Sequence, residues 1–415
     1  VSKKQVHVLQ KFSGYQKFVI AILVFLQFTV IFDFMVISPL GAVIMPALSI
    51  TPSQFGLVVS AYAFSAGIAG MLAAGIADKY DRKKLLLFFY SGFIIGTLFC
   101  GIVEDYKLLL AARIVTGLFG GVIGSIVLAI TVDLFAFSVR GRVMGFIQTA
   151  FAASQVLGLP AGLLLSNHFG WHAPFILIAG LGAAVGVVIV IYLKPVDGHL
   201  KLNAERKALQ HLVKTITTPR YLLAFSATAL LSLGGYMLMP FASVFLVNNV
   251  KVGLTHLPII YFITGAFSIL IGPLVGRASD AYGKFRIFVF GTVFSIIMVV
   301  IYTNMGVTPL YLVIVINVLL FVGIFSRMIP SQALTSAMPE PAYRGSFMSI
   351  SASMQQVAGG FASVLAGFIV IQHADNTIGR FNVLGYIMVF TMLTSLVLIY
   401  FIDRMVIAQE GPQEG

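Results

Sequence analysis

The chain has 415 residues, 59% of them hydrophobic and 10% charged; soluble domains carry roughly 25% charged residues, so soluble classes are excluded. A net charge of +12 matches a nucleic-acid binder in sign, but the placement of the cations excludes that partner. The one cysteine, Cys100, excludes an internal disulfide, and no metal-ligand spacing appears.

Apolar runs long enough to cross roughly 30 Å of hydrocarbon as helices predict twelve spans, over 17–45, 55–77, 85–103, 108–134, 143–166, 172–193, 220–247, 256–278, 286–304, 309–334, 346–371 and 382–402. The runs are continuous rather than alternating, which predicts helices and not barrel strands. The expected fold class is therefore all-α integral membrane. The first run is too long for a signal peptide and lacks a small-residue cleavage site, so it is expected to remain in the protein. With the first end inside, only Lys107, Lys251 and Arg380 of the 26 Lys and Arg residues fall in outer loops, and only Arg113 and Arg327 within spans. The positive-inside rule then places both termini in the cytoplasm, as in an inner-membrane protein, and the basic excess reads as a topology signal.

In the first span, Asp33 is the one acidic residue of fourteen that lies deep in the apolar run. A charge there costs about 2.5–3.5 kcal/mol on insertion scales, which marks the residue as a functional candidate. Its partner follows from depth. Asp33 lies about 22 Å from the inner edge and Arg113, in the inward-running fourth span, about 8 Å from the outer edge. The two depths sum to the hydrocarbon thickness, so both side chains are expected at one level. Asp33 is then the candidate proton carrier and Arg113 the group that tunes it, with alternating exposure switching the balance between dehydration and the Arg113 charge. The competing reading is a static buried pair that orders packing.

The second half repeats the first at an offset of about 202 residues. Phe32-Asp33-Phe34-Met35 to Pro39 answers Gly234-Gly235-Tyr236-Met237 to Pro240, and Gly235 stands where Asp33 would be. The loop Asp78-Lys79-Tyr80-Asp81-Arg82-Lys83 answers Asp280-Ala281-Tyr282-Gly283-Lys284-Phe285, and Arg140-Gly141 answers Arg344-Gly345. The expected organisation is a cytoplasmic tail over 1–16, six helices over 17–193, a basic linker over 194–219, six more helices over 220–403 and a tail over 404–415. The loop copies, with Asp133 and Arg140, form a candidate cytoplasmic latch of Asp78, Arg82, Lys83, Asp133, Arg140, Asp280, Lys284 and Arg344. The competing reading of those cations is a solvated loop that fixes topology. Gly180 to Gly186 has one residue too many for a dinucleotide fingerprint and follows no strand. It reads as close helix packing, as do Gly117 and Gly121.

These motifs together resemble the major facilitator superfamily over nearly the whole chain. The Ala74–Lys83 loop is similar to the family's signature loop, with Ala74 and Asp81 in place of its two glycines, and the Gly276–Lys284 copy keeps both. Arg113 to Gly121 resembles the Arg-containing motif of proton-coupled antiporters. Gly158-Leu159-Pro160-Ala161-Gly162 is similar to the antiporter motif, with its Gly and Pro separated, and is expected to bend span five. The continuation through Phe169-Gly170-Trp171 and Pro174-Phe175 resembles the drug:proton antiporter branch that includes arabinose-efflux-type permeases.

The resemblance implies the major facilitator fold of two pseudo-symmetric six-helix halves, a substrate site near the midplane between them, and no cofactor beyond the coupling proton. The cavity candidates are Gln27, Phe34, Met35, Gln148, Gln155, Tyr236, Met237, Met239, Phe241, Asn317, Arg327 and Gln355. For Tyr236, Met237, Met239 and Phe241 a packing stripe is the competing reading, and for Arg327, snorkelling to the interface. The implied function is proton-coupled export of small amphipathic, drug- or sugar-like compounds by alternating access, by a monomer in the lipid bilayer. Proton- or sodium-driven uptake of a nutrient is the alternative. An intramembrane enzyme is disfavoured, because the seven histidines (His7, His168, His172, His199, His211, His256 and His373) fall in tails, loops or span edges.

Overall fold

A computed structural model describes residues 12–73, 80–201, 214–340 and 343–410. Among the described residues twelve helices are long and apolar enough to cross a membrane. They are α1 Gly14–Val36, α2 Pro52–Leu72, α3 Arg82–Cys100, α4 Tyr106–Leu134, α5 Ser138–Phe169 and α6 Ala173–Tyr192 in the first half. The second half holds α7 Pro219–Leu238, α8 Leu254–Tyr282, α9 Lys284–Thr303, α10 Leu310–Ala337, α11 Arg344–Ile369 and α12 Phe381–Ala408. We call the side on which α1 begins and α12 ends the terminal face, and its opposite the far face.

The first and seventh spans end earlier than their apolar runs. Helix α1 stops at Val36 and resumes as a short helix over Gly41–Ala47. Helix α7 stops at Leu238 and resumes over Ala242–Asn248. Pro39 and Pro240 stand in the two breaks, where a missing N–H and the restriction on the preceding residue end a helix. The repeat visible in the sequence is thus a repeat of backbone geometry.

Helix pairing repeats in the same way. Within the first half α1 packs on α5 and α6, α2 on α4, and α3 on α4 and α6; within the second α7 packs on α11 and α12, α8 on α10, and α9 on α10 and α12. The halves meet through α2 against α11 and α5 against α8. Lipid tails supply no hydrophobic drive between helices, so close approach depends on small residues. A Cβ on Gly56 would sit 2.6 Å from the Ser363 carbonyl oxygen and 3.2 Å from Gly367 Cα. Gly117 and Gly121 of α4 lie against the α2 backbone at Tyr62 and Ala66, as their spacing implied.

Helix α5 bends at a π-turn over Ser154–Gly158, just before Pro160, whose ring cannot donate to the preceding turn. Gly158 and Gly162 there rest on Phe32 and Val36 of α1. The backbone irregularity at these positions is the π-turn, and the close approach to α1 is made at Gly158 and Gly162.

The far face is sealed across the halves. Ser243 Oγ donates to the Ser38 carbonyl at 3.2 Å, joining the two short helices. The Phe55 and Phe241 rings meet edge-on at 6.1 Å, and Asn167 Nδ2 donates to the Leu254 carbonyl at 3.2 Å. A two-stranded hairpin, β1 Ile371–Gln372 with β2 Ile378–Gly379, is tied by Asn248 and Asn249 to the end of the short helix after α7.

Candidate functional site

The intramembrane charges meet as their depths required. Arg113 Nη1 donates to Asp33 Oδ2 at 2.9 Å, with both side chains 0% exposed. Thr97 Oγ1 of α3 donates to the other carboxylate oxygen at 3.2 Å. The guanidinium lies 4.6 Å from the centroid of the Tyr62 ring, a cation–π contact. Arg113 Nε and Nη2 are sealed from solvent without a hydrogen-bond partner. The pair therefore uses one prong of the guanidinium fork rather than the bidentate geometry that best satisfies a buried arginine.

Rings connect this pair to the interface between halves. Tyr62 packs on Phe34 at 5.3 Å, and Phe34 on Tyr236 of α7 at 5.8 Å. Tyr236 borders a cavity of about 200 Å³ lined also by Ala66, Gly70, Gly121, Ser125, Ser349, Ala352, Ser353, Gln355 and Gln356. The walls come from α2 and α4 of one half and α7 and α11 of the other, and among the described residues none of the lining side chains is charged.

Of the predicted cavity residues, Tyr236 and Gln355 line this space, and Phe34 backs it through Tyr236. Gln27 approaches Gly124, one residue from the wall residue Ser125. Met35 is buried on α1, Gln148 is exposed on α5, Met239 is half-buried in the α7 break, and Asn317 is buried on α10. Gln155 is buried in the π-turn, where its backbone faces Gly265 of α8.

Three candidates are corrected. Met237 belongs to the core, and Phe241 to the far-face seal against Phe55. Arg327 neither borders the cavity nor snorkels: it is 5% exposed, donating to Thr292 Oγ1 of α9 at 3.3 Å and Ser395 Oγ of α12 at 2.9 Å. Missed from the sequence were Thr97 and Tyr62 beside the ion pair, and Ser125, Ser349, Ser353 and Gln356 in the wall. The last group carried a signal, since Ser349, Ser353 and Gln356 recur at helical spacing on α11.

The latch is one-sided. Arg82 Nε pairs with Asp133 at 3.1 Å, tying the start of α3 to the end of α4 within one half. Lys83 Nζ caps the Val190 carbonyl of α6, and Arg140 donates to the carbonyls of Phe135 and Val132. Asp81, standing where the signature has glycine, caps α3 through the backbone of Lys83 and Lys84. Asp280, Lys284 and Arg344 make no side-chain hydrogen bond or ion pair among the described residues, so the second copy holds nothing here. Asp78 lies outside the described residues.

The profile of the Major Facilitator Superfamily matches residues 23–362 and, again, 224–415. The chain belongs to this superfamily. The MFS-type transporter YbcL of Bacillus subtilis is 24% identical over 344 residues, covering 81% of this chain and 84% of that one. Multidrug resistance protein 3 of Bacillus subtilis is 33% identical over 149 residues, covering 36% of this chain and 29% of that one. The nucleoside transporter NupG shares the fold at a TM-score of 0.73 and 15% identity, over 94% of this chain and 99% of that one. A bacterial homolog of the human lysosomal transporter Spinster, inward-facing and unoccupied, does so at 0.71 and 15% identity, over 95% and 97%. The protein is thus a multi-pass membrane transporter of a small-molecule substrate and not an enzyme.

Proposed function

We propose that this transporter couples substrate movement to protons through Asp33, with Arg113 as its electrostatic partner, and that it exports small organic compounds. The observation that carries the reading is the ion pair itself, fully buried yet satisfied through one guanidinium nitrogen of three. A pair that served packing alone would be stabilised by closing its fork; one that must open and close is served by a single bond. Protonating Asp33 removes the charge that holds Arg113, which frees α1 and α4 to shift. Tyr62 and Phe34 link that shift to the cavity wall at Tyr236.

The positive-inside pattern supports a cytoplasmic terminal face, and the reading takes the membrane to be the inner one. The rocking units in this scheme are residues 17–193 and 220–403, joined by 194–219. Export as the direction is supported by the bent Gly158-Leu159-Pro160-Ala161-Gly162 segment and by the stretch shared with multidrug resistance protein 3. One proton entering down 100 mV supplies about 2.3 kcal/mol, enough for roughly fifty-fold accumulation.

Everted membrane vesicles test this. An imposed pH gradient is monitored while ethidium, L-arabinose, uridine and related compounds are added to wild type and to Asp33→Asn at equal expression. A compound that collapses the gradient in wild type and not in the variant is the expected result. An Asp33→Asn transporter that still dissipates the gradient removes the proton assignment.

A further inference from the structure

The cavity between the halves is surrounded by hydrogen-bonding groups that nothing in the protein uses. Ser125, Tyr236, Ser349, Ser353, Gln355 and Gln356 line it, and none makes a hydrogen bond among the described residues. Elsewhere in the spans many hydroxyls are occupied, while Ser166, Thr264 and Ser295 are buried singly without a partner among the described residues. Ser65, Thr116, Thr131, Ser268 and Thr335 each donate to a carbonyl one turn back, which is the usual way a helix in lipid satisfies such a group. Gln356 Oε1 is sealed from solvent and unpartnered. A buried polar group left unpaired costs about 1–3 kcal/mol; Gln356 Oε1 is such a group, and with five further unbonded polar side chains around the same space it makes a site for a hydrogen-bonding occupant.

Charge and size narrow that occupant. With no charged lining residue among those described, a cation or anion would lose hydration without gaining a counter-charge there. The Asp33–Arg113 pair does not substitute, being 0% exposed and set behind Tyr62 and Phe34. An apolar compound would leave the serines and glutamines unpaired. The volume of about 200 Å³ falls below the roughly 300–1,000 Å³ of drug-sized pockets. Opposite the polar face of α11, Ala66, Gly70 and Gly121 present a small apolar floor.

We propose that this cavity takes an uncharged solute rich in hydroxyl or carboxamide groups, of about monosaccharide size, and that Ser353 and Gln356 set the preference. The proposal rests on the transport reading for its physiological meaning. It takes the polar, sugar-like end of that substrate range over lipophilic drugs.

The test is binding to the full chain in nanodiscs, with no gradient, read by melting of the fluorescence of Trp171, the protein's one tryptophan. Probes are matched by size and differ in charge: aldoses (L-arabinose, D-xylose, D-glucose, D-galactose), their aldonates and their amino sugars, with nicotinamide as a carboxamide and tetraphenylphosphonium as a lipophilic cation. At least one neutral probe should bind tenfold or more tightly than its charged counterparts and tetraphenylphosphonium. Ser353→Ala and Gln356→Ala should each weaken it about tenfold without lowering the unliganded melt, which rises if anything in Gln356→Ala as the unpaired Oε1 is removed. Tightest binding by a charged probe or tetraphenylphosphonium, no binding by any neutral probe, or wild-type affinity in both variants overturns the proposal. A vesicle response that persists alongside any of these leaves proton coupling standing and removes the substrate class alone.

Discussion

Replacing Arg113 with leucine is expected to destabilise the protein by about 3–5 kcal/mol, because it strands a carboxylate in a fully buried site. Asp33 would keep only the Thr97 hydroxyl, a neutral donor at 3.2 Å. Adding Asp33→Asn to Arg113→Leu should recover most of that loss, since replacing both members of a buried pair with uncharged groups is often near neutral in stability. The order of thermal or detergent-induced unfolding midpoints should therefore be wild type close to the double variant, with the single Arg113→Leu lowest. Equal midpoints for single and double variants would show that no charge at Asp33 depends on Arg113. Stability separates this test from transport: the double variant should fold and still fail to move protons. That combination distinguishes a working pair from a packing device, because a packing role predicts restored function with restored stability.

The shared level of Asp33 and Arg113 is legible in the sequence alone, since a rise of 1.5 Å per residue fixes depth along a span and Asp33 is the one acid deep in a span. The twelve spans and the two-fold repeat are legible for the same reason: length and hydropathy have a physical threshold in lipid. What the sequence hides is azimuth. Met237 and Tyr236 are neighbours in the chain, yet one enters the core and the other the cavity. Arg327 lies at a plausible depth for a ligand contact but faces α9 and α12. Helical rotation about the long axis is set by packing partners, which the continuous apolar runs of α1 and α7 do not reveal. Only α11, with Ser349, Ser353 and Gln356 on one stripe, carries its azimuth in its own pattern. The latch is legible only in part. Arg82 and Asp133, both expected in it, do pair; the repeat of the cations in sequence does not reveal that this bond stays within the first half.

Substituting Gly56 with leucine is expected to open the far face. The seal there combines a hydrogen bond between Ser243 and the Ser38 carbonyl, the Phe55–Phe241 contact, and the close approach of α2 to α11 at Gly56 and Gly367. A new side chain at Gly56 meets the α11 backbone one turn apart, the Ser363 carbonyl oxygen at 2.6 Å and Gly367 Cα at 3.2 Å. Neither atom can rotate away as a flexible side chain would, so relief requires the helices to part. Overpacking of this kind costs about 1–3 kcal/mol. If that cost falls on the sealed state alone, the open population rises about 5- to 150-fold. The readout is a Ser38→Cys probe in a Cys100→Ala background, because Ser38 is 1% exposed in the sealed form. Its rate of maleimide labelling in detergent should rise by that factor in Gly56→Leu. Gly67→Leu is the control: it meets the Val357 side chain at 2.7 Å and the Ser353 carbonyl oxygen at 3.1 Å, on the same pair of helices but about 16 Å nearer the terminal face, and should leave the probe as protected as before. Unchanged labelling in Gly56→Leu, with the melting temperature merely lowered, would mean that α2 and α11 yield together instead of parting. The rocking motion would then have to pivot elsewhere than on this pair.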